Sequence, residues 1–346
     1  MKRLYILLAL TLIVFTAPLS AQLTTYDEFS AGFVDFAESI ADELPFNTTV
    51  GLNWADAYIG TLPHFGIGVT IGATLVPFGT LDEAMKPLGV DLEAELGDEL
   101  GGLGFPLPGA VLDARIGGIV LPFDLGFKIG YLPQEAKVFL PGNMSLDYLL
   151  IGGDIRYAIV QEKGWLPDVS IGVGYNYLKG NIAISGIMGG DQDIADVETG
   201  TGTVTLRLQD PDVYLNWEAS TIDLKVQVSK TLLVFTPFVG VGAAYGESTS
   251  GGGLKTNVLV NWPGPGFTPI TDDQIKQIKD YYELIGEPVP DLSASGLIVN
   301  SDAKGWAYRV FGGISLNVFL LRINLNGMYN ITTGAVGASI NGAIQF

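Results

Sequence analysis

From Ala335 to Phe346 the chain alternates. Val336, Ala338, Ile340, Gly342, Ile344 and Phe346 share one face, and Ala335, Gly337, Ser339, Asn341, Ala343 and Gln345 share the other. A period of two with one apolar face is the pattern of a β-strand. The preceding segment repeats it, with Ile323, Leu325, Gly327, Tyr329 and Ile331 set against Arg322, Asn324, Asn326, Met328 and Asn330. A third run, Trp306 to Val318, sets Trp306, Tyr308, Val310, Ile314, Leu316 and Val318 against Arg309, Ser315 and Asn317. The same reading predicts strands at 47–59, 63–77, 109–121, 123–132, 146–160, 167–186, 212–230 and 233–247. In the weakly patterned stretch 186–212, Thr203 to Leu208 reads as a hairpin extension.

A soluble sandwich also alternates, so three further features decide the class. The strands are long enough for a tilted membrane span of about 9–11 residues with extensions. Their polar faces carry amides, hydroxyls and glycine, as a wet lumen would. Aromatics recur near strand ends, among them Trp54, Tyr131, Tyr175, Trp306 and Tyr329, where membrane interfaces place them. Connections alternate between short ones and the long 78–108, 133–145, 187–211 and 248–304, as periplasmic turns and outer loops do. The expected fold is all-β: an antiparallel transmembrane β-barrel. Bacterial barrels have even strand numbers, so about 12 strands are expected, with 10 to 14 allowed.

Helical periodicity appears in three places. In residues 26–44, Phe29, Phe33, Phe36, Ala37, Ile40 and Leu44 form an apolar stripe, Thr25 with Glu28 makes a capping box, and Pro45 closes the run. Its other face carries Asp27, Glu28, Asp35, Glu38, Asp42 and Glu43 and no base. Thr80 to Glu83 and Thr271 to Gln274 are further capping boxes, opening short helices inside the loops 78–108 and 248–304.

Composition supports export to a membrane. Lys2 and Arg3 precede the apolar run Leu4 to Phe15, and Ala17 to Ala21 is a small-residue cleavage region, so residues 1–21 read as a signal peptide. Residues 22–45 then form an N-terminal plug helix and 46–346 the barrel. The mean hydropathy is +0.35, yet beyond the signal no run resembles a helical span of about 20 apolar residues. There are no cysteines, so disulfides and thiolate metal sites are excluded. The net charge of −19 makes nucleic acid an unsuitable partner.

Charges in a barrel wall are tolerated when they face the lumen, because a lipid-facing Arg or Lys costs about 2–4 kcal/mol at mid-membrane. On the assigned inward faces lie Arg115, Lys128, Arg156, Lys225, Arg309 and Arg322. Asp113, Asp124, Asp154 and Asp223 share those faces. Two arrangements fit. The acids of helix 26–44 pair with Arg115, Arg156, Arg309 and Arg322, holding the helix in the lumen. Alternatively the charges pair along the wall, Asp113 with Arg115 and Asp154 with Arg156. The first predicts that deleting residues 23–45 raises single-channel conductance.

Catalytic tools are sparse. His64 is the single histidine and sits at a strand start, where a structural role is expected. Asp272 and Asp273 read as helix-start residues, and glycine runs such as Gly240-Val241-Gly242 lie in strands rather than before helices. No enzymatic role, cofactor or metal is expected.

The motifs Gly51-Leu52-Asn53-Trp54, His64 to Gly68, Leu121 to Gly126 and Ile151 to Tyr157 resemble outer-membrane barrel families in which an acidic amphipathic helix precedes the first strand. In plan the chain is also similar to the long-chain fatty-acid outer-membrane transporter family. That likeness implies an N-terminal plug and a hydrophobic ligand path. The family's N-terminal motif has no match, so no ligand residue carries over. The expected function is a plugged or gated outer-membrane channel for small, hydrophobic solutes. The alternative is a non-transporting surface barrel whose outer loops bind a partner or matrix. Expected partners are outer-membrane lipid, the solute, and the barrel assembly machinery through the strand ending at Phe346.

Overall fold

The computed structural model describes residues 26–52, 56–59, 64–76, 105–118, 121–131, 143–185, 190–199, 202–262, 264, 266–285 and 293–345. The signal at 1–21, Thr25, Trp54, the helix expected after Thr80 and Phe346 lie outside them. In chain order the elements are α1 (Tyr26–Asn47), β1 (His64–Val76), β2 (Phe105–Gly117), β3 (Phe123–Tyr131), β4 (Met144–Val160), β5 (Asp168–Ile184), β6 (Gln192–Thr199) and β7 (Gly202–Ser229). They continue with β8 (Phe235–Val260), β9 (Thr268–Pro269), α2 (Asp272–Ile285), β10 (Gly296–Val318), β11 (Leu321–Asn330) and β12 (Val336–Gln345).

All strand pairs are antiparallel, and the twelve strands form one sheet. The ring runs β1-β2-β3-β4-β5-β7-β8-β10-β11-β12 and closes where β1 meets β12, from Gly66 opposite Gln345 to Leu75 opposite Val336. β6 pairs with the outer part of β7 and β9 with the end of β8, so neither belongs to the ring. The wall therefore has ten strands, the low end of the expected range. Closure leaves the ring itself without an open edge, as backbone in hydrocarbon requires.

One expected strand is absent. Residues 47–59 finish α1, turn at Thr48–Gly51 and continue without strand pairing over the described 56–59. Every described side chain from Phe46 to Leu52 is buried. A segment enclosed on all sides cannot show the in-and-out contrast of a wall strand. Its hydrogen-bonding groups are taken by wall side chains, as detailed below.

On the outside, alternation delivers an apolar band. Ile67, Val69, Phe127, Ile171, Leu224 and Val241 are all exposed there, and exposure to lipid is what such side chains favour. At its upper edge Tyr245 and Trp306 have ring centroids 5.0 Å apart, and Trp306 stacks on Tyr308 at 5.9 Å. Immediately beyond, the pairs change to Lys179–Glu218 at 2.9 Å, Lys304–Glu247, and Thr249 donating to Asp302 at 2.7 Å. This change from hydrocarbon to ion pairs marks the outer surface of the membrane. The opposite end carries the short connections at 121–122, 161–167, 230–234 and 319–320 and is the periplasmic end. β7, β8 and β10, with 28, 26 and 23 residues, rise well past the outer surface.

α1 lies inside the ring and points inward. A Cβ on Gly252 would come 3.0 Å from the Phe33 ring, the Ala41 carbonyl accepts from Ser248 Oγ at 2.6 Å, and Pro45 lies beside Gly246. Falling numbers along β8 lead toward the periplasm, so the N-terminal end of α1 is at the outer mouth. The helix continues to Asn47, beyond the stop expected at Pro45. Pro45 has no N–H for the Ala41 carbonyl. Ser248 fills that vacancy, and Thr48 N resumes the ladder to Leu44 O at 2.9 Å. α2 begins with the expected reciprocal cap, Gln274 N to Thr271 Oγ1 at 3.3 Å and Thr271 N to Gln274 Oε1 at 2.9 Å. Ile275 and Ile278 join the apolar core shared by α1, Leu206 and Val260.

Candidate functional site: a divided, occupied lumen

The lumen has two chemically distinct halves. Toward the outer mouth the inward side chains are apolar: Val76, Leu107, Leu150, Leu178, Leu215 and Trp217 are buried there against α1. Phe33, Phe36, Ile40 and Leu44 meet them, each 2% exposed or less, and Phe33 and Phe36 pack edge to face at 6.2 Å. Toward the periplasm the inward side chains are charged.

All ten wall charges singled out above point inward and are buried. Asp124 is the hub: Arg115 Nη1 reaches it at 2.7 Å, and Arg156 binds both oxygens, at 3.0 and 2.5 Å. Asp154 accepts Arg115 at 2.9 Å and Lys225 at 2.6 Å. Arg309 binds Asp223 bidentately, at 2.6 and 3.0 Å. Asp113 accepts from Thr70 at 2.9 Å and Asn341 at 3.0 Å. The pairing thus runs across strands. For Asp154 it goes to β2 and β7, each reached across one intervening strand, and not to Arg156 two residues along.

Inward glycines make this possible. A Cβ on Gly126 would lie 2.2 Å from Asp154 Oδ1 and 2.7 Å from Arg115 Nη2. One on Gly242 would lie 2.6 Å from the Arg309 guanidinium carbon. The glycines give the long cations room to lie across the wall.

The expected electrostatic socket between α1 and these arginines does not form. Asp35, Glu38 and Asp42 are exposed, and Glu43 is buried with Asn330 as its partner at 3.2 Å. The side chains of Asp27 and Glu28 lie outside the described set. The helix is inside the barrel but in its outer half, where burial of the phenylalanine stripe is the dominant gain. The arginines lie one level deeper.

What meets them there is the segment after the helix, and mostly its backbone. Lys128 Nζ donates to the carbonyls of Thr48 and Val50, both at 2.6 Å. Arg115 and Lys225 each donate to Leu52 O at 3.1 Å, and Arg156 donates to Asp56 O at 2.9 Å. Ser229 Oγ then accepts from Ala57 N at 2.8 Å, and Gln161 donates to Ile59 O at 3.0 Å. The sole described side-chain ion pair between this segment and the wall is Asp56 with Arg322. Gly51 and Leu52 adopt φ of 78° and 53°, placing Leu52 in a region unfavourable for a branched residue. A void of about 10 Å³ lies between Gly51, Lys128, Asp154 and Lys225, roughly the room one water needs. Residues 48–52 and 56–59 therefore lie along the polar half of the bore, with Ile59 toward the periplasmic end.

Asp56 and the five accepting carbonyls were not legible as site groups. Carbonyls leave no mark in a sequence, and Asp56 lay in an expected strand. The surplus of inward cations over inward acids was the available signal. His64 lies at the start of β1, 4.0 Å from Asp124.

A closed ten-stranded antiparallel ring with a lipid-facing apolar band, an aromatic edge and a polar interior defines a bacterial outer-membrane β-barrel. Solved structures similar to the chain include outer-membrane proteins. The outer membrane protease OmpT from Escherichia coli is 8% identical, with 82% of this chain and 96% of that chain covered, at a TM-score of 0.36. The translocator domain of the autotransporter NalP from Neisseria meningitidis is 10% identical, covering 91% of this chain and 99% of that one, also at 0.36. The toluene transporter TodX from Pseudomonas putida is 8% identical over 94% and 98%, at 0.22. No family model matches the chain, and no curated protein is similar to it. These likenesses transfer no residue role. They do correct one expectation: with a protease among the matched barrels, the reading of the chain as non-enzymatic is withdrawn.

Proposed function

We propose that the chain is a gated outer-membrane channel for small apolar solutes, with α1 and residues 48–52 and 56–59 as the gate. The supporting observation is the division of the lumen. Eight strands give an interior just wide enough for side chains to fill, and ten leave space for one further segment. That space is taken by the chain's own N-terminal region: an apolar helix in an apolar seat, then a strap held by cations. A vacated seat offers apolar surface bounded by Leu150, Leu178, Leu215 and Trp217, which suits an apolar solute. The likeness in plan to the long-chain fatty-acid transporter family points to the same cargo class.

A reversible lock tests the gate. Thr48 and Thr221 hydroxyl oxygens are 2.8 Å apart, one on the segment and one on the wall. Cysteines there bring two thiols side by side, and no native cysteine competes. In liposomes, the oxidised Thr48→Cys, Thr221→Cys protein blocks entry of a small aromatic solute and reduction restores it. Equal flux in both states rejects the gate. A second reading, a sealed surface barrel that binds a partner, draws on the tall extension of β7, β8 and β10 with β6 and α2 attached. Absence of flux in the reduced and wild-type proteins favours it.

A further inference from the structure

The charges of the polar half do not balance. Five wall cations, Arg115, Lys128, Arg156, Lys225 and Arg309, share it with four acids, Asp113, Asp124, Asp154 and Asp223, all buried. The sixth cation, Arg322, has Asp56 of the N-terminal segment as its partner. The odd charge is Lys128. Arg115, Arg156, Lys225 and Arg309 each reach a carboxylate at 2.7 Å or less. Lys128, 1% exposed, reaches none among the described residues. Two further buried acids are committed elsewhere. Glu43 is bonded to Asn330. Asp168 accepts from Glu162 N at 2.7 Å and stands eight residues below Asn176 on β5, about 26 Å along the strand.

What Lys128 has instead is main chain. The carbonyls of Thr48 and Val50 accept from its Nζ, both at 2.6 Å. Arg115 and Lys225 converge on the next alternate carbonyl, Leu52 O, at 3.1 Å each. Three buried cations thus hold three oxygens of one short stretch. A carbonyl dipole solvates a buried ammonium without neutralising it, whereas a carboxylate does both. If the segment withdraws, Arg115 retains Asp124 and Asp154, and Lys225 retains Asp154. Lys128 retains nothing, and the vacated lumen carries one unanswered positive charge among N–H donors.

The position of Lys128 bears on what answers it. Its register partner on β4 is Gly152, and that of Gly152 on β5 is Asn176. The next inward residues toward the outer mouth are Leu150 and Leu178, themselves register partners and fully buried. Two residues along a strand are about 7 Å. The charge therefore sits at the boundary of the two halves, one short molecule's length below apolar wall. The deficit of a single charge suits a monoanion. A phosphate dianion would bring excess charge toward Asp154, which lines the same small void as Lys128.

We propose that Lys128, flanked by Arg115 and Lys225, is a carboxylate site whose internal stand-ins are the carbonyls of Thr48 and Val50, and that the solute is a small apolar acid that displaces them. The proposal rests on the gate described above and adds the solute's head group to it. The carboxylate takes the place of the two carbonyls, and the apolar body lies against Leu150 and Leu178. Because it binds only the vacated lumen, such a solute favours the open form.

Sodium benzoate and its neutral counterpart benzamide separate charge from shape. Single-channel open probability is recorded in planar bilayers with each at equal concentration, for wild type, Lys128→Arg and Lys128→Met, with heat-modifiable gel mobility as the check on folding. A ligand of the open form at ten times its dissociation constant raises the open-to-closed ratio about elevenfold. Benzoate is expected to approach that rise in wild type and benzamide to leave the ratio unchanged. Lys128→Arg keeps the preference for benzoate and Lys128→Met loses it. The readout is the ratio of the two responses, because the substitution itself alters the hold on the segment. Equal responses in wild type overturn the proposal, and so does a preference that survives in Lys128→Met. Inorganic phosphate acting as strongly as benzoate also overturns it. The wild-type comparison decides alone where Lys128→Met does not fold. If benzoate has no effect, the Thr48→Cys, Thr221→Cys lock shows which reading has failed. Redox-controlled flux keeps the gate and rejects the carboxylate site, and equal flux in both redox states rejects both.

Discussion

Truncating Phe36 isolates the seating of α1 from the integrity of the barrel. The ring is fully buried, lies edge to face with Phe33, and belongs to the cluster with Ile40 and Leu44. Phe→Ala in a packed core costs about 3–5 kcal/mol, and about 1.4 kcal/mol is tenfold in an equilibrium. Phe36→Ala should therefore raise the ratio of unseated to seated helix by about two to three and a half orders of magnitude. The wall strands keep their backbone pairing and side chains, so the barrel should still show heat-modifiable mobility on gels. The assay is single-channel recording in planar bilayers, read as open probability. Glu38→Ala, on the exposed face of the same helix, should leave that probability unchanged. Where the single variant stays silent, Phe36→Ala with Ile40→Ala adds a further 2–5 kcal/mol. A folded double variant that opens no more often than wild type refutes the role of α1 as a gate.

The buried carboxyl of Glu43, on α1 rather than on a spanning strand, is raised from 4.5 to about 7, chiefly by burial and against the hydrogen bonds from Thr333 and Asn330. The seated state then binds more protons than the unseated state between those values, so seating weakens as pH rises through that window and changes no further above it. The span corresponds to about 3 kcal/mol, so flux should rise from pH 5 to pH 8 in wild type and stay flat in Glu43→Gln; a flat wild-type profile contradicts the assignment. Asp124→Asn leaves Arg115 and Arg156 without their shared carboxylate. Loss of one partner in a buried ion pair costs about 3–5 kcal/mol, and the urea midpoint in vesicles should fall accordingly, while an unchanged midpoint would show that water reaches the network.

Much of the wall could be read directly because a barrel writes its geometry into alternate residues. The ten wall charges named from the sequence were assignable from parity alone, since lipid on one side and lumen on the other enforce the two faces of β2, β3, β4, β7, β10 and β11, whereas the buried Asp168 on β5 was missed. Parity fixes a face but not a height. The acids of α1 and the arginines of the wall were correctly sided yet lie at different depths, and depth depends on strand stagger that no single segment encodes. Residues 47–59 misled for a related reason. Val50, Leu52 and Ile59 look like strand positions, but they are buried by surroundings contributed from the whole ring. The long run of β7 was divided into a loop and a strand because Asp210 and Pro211 interrupt the alternation. In the structure the pairing with β8 shifts register between Gln209 and Asp212 and continues.

The course of the N-terminal region also constrains biogenesis. Its polypeptide travels from the outer opening through the whole bore before becoming β1, and β1 is the strand that zips to β12. A finished hoop would have to admit this region end first and pass it between side chains that already grip one another. If the first and last strands join only after the region is in place, nothing needs to be pulled through. The order of events is then set by topology: the rope is laid across the opening, and the hoop is welded around it. A chain whose β1–β12 seam zips early would be trapped with its N-terminal region on the wrong side, correctly folded strand by strand and still without its plug.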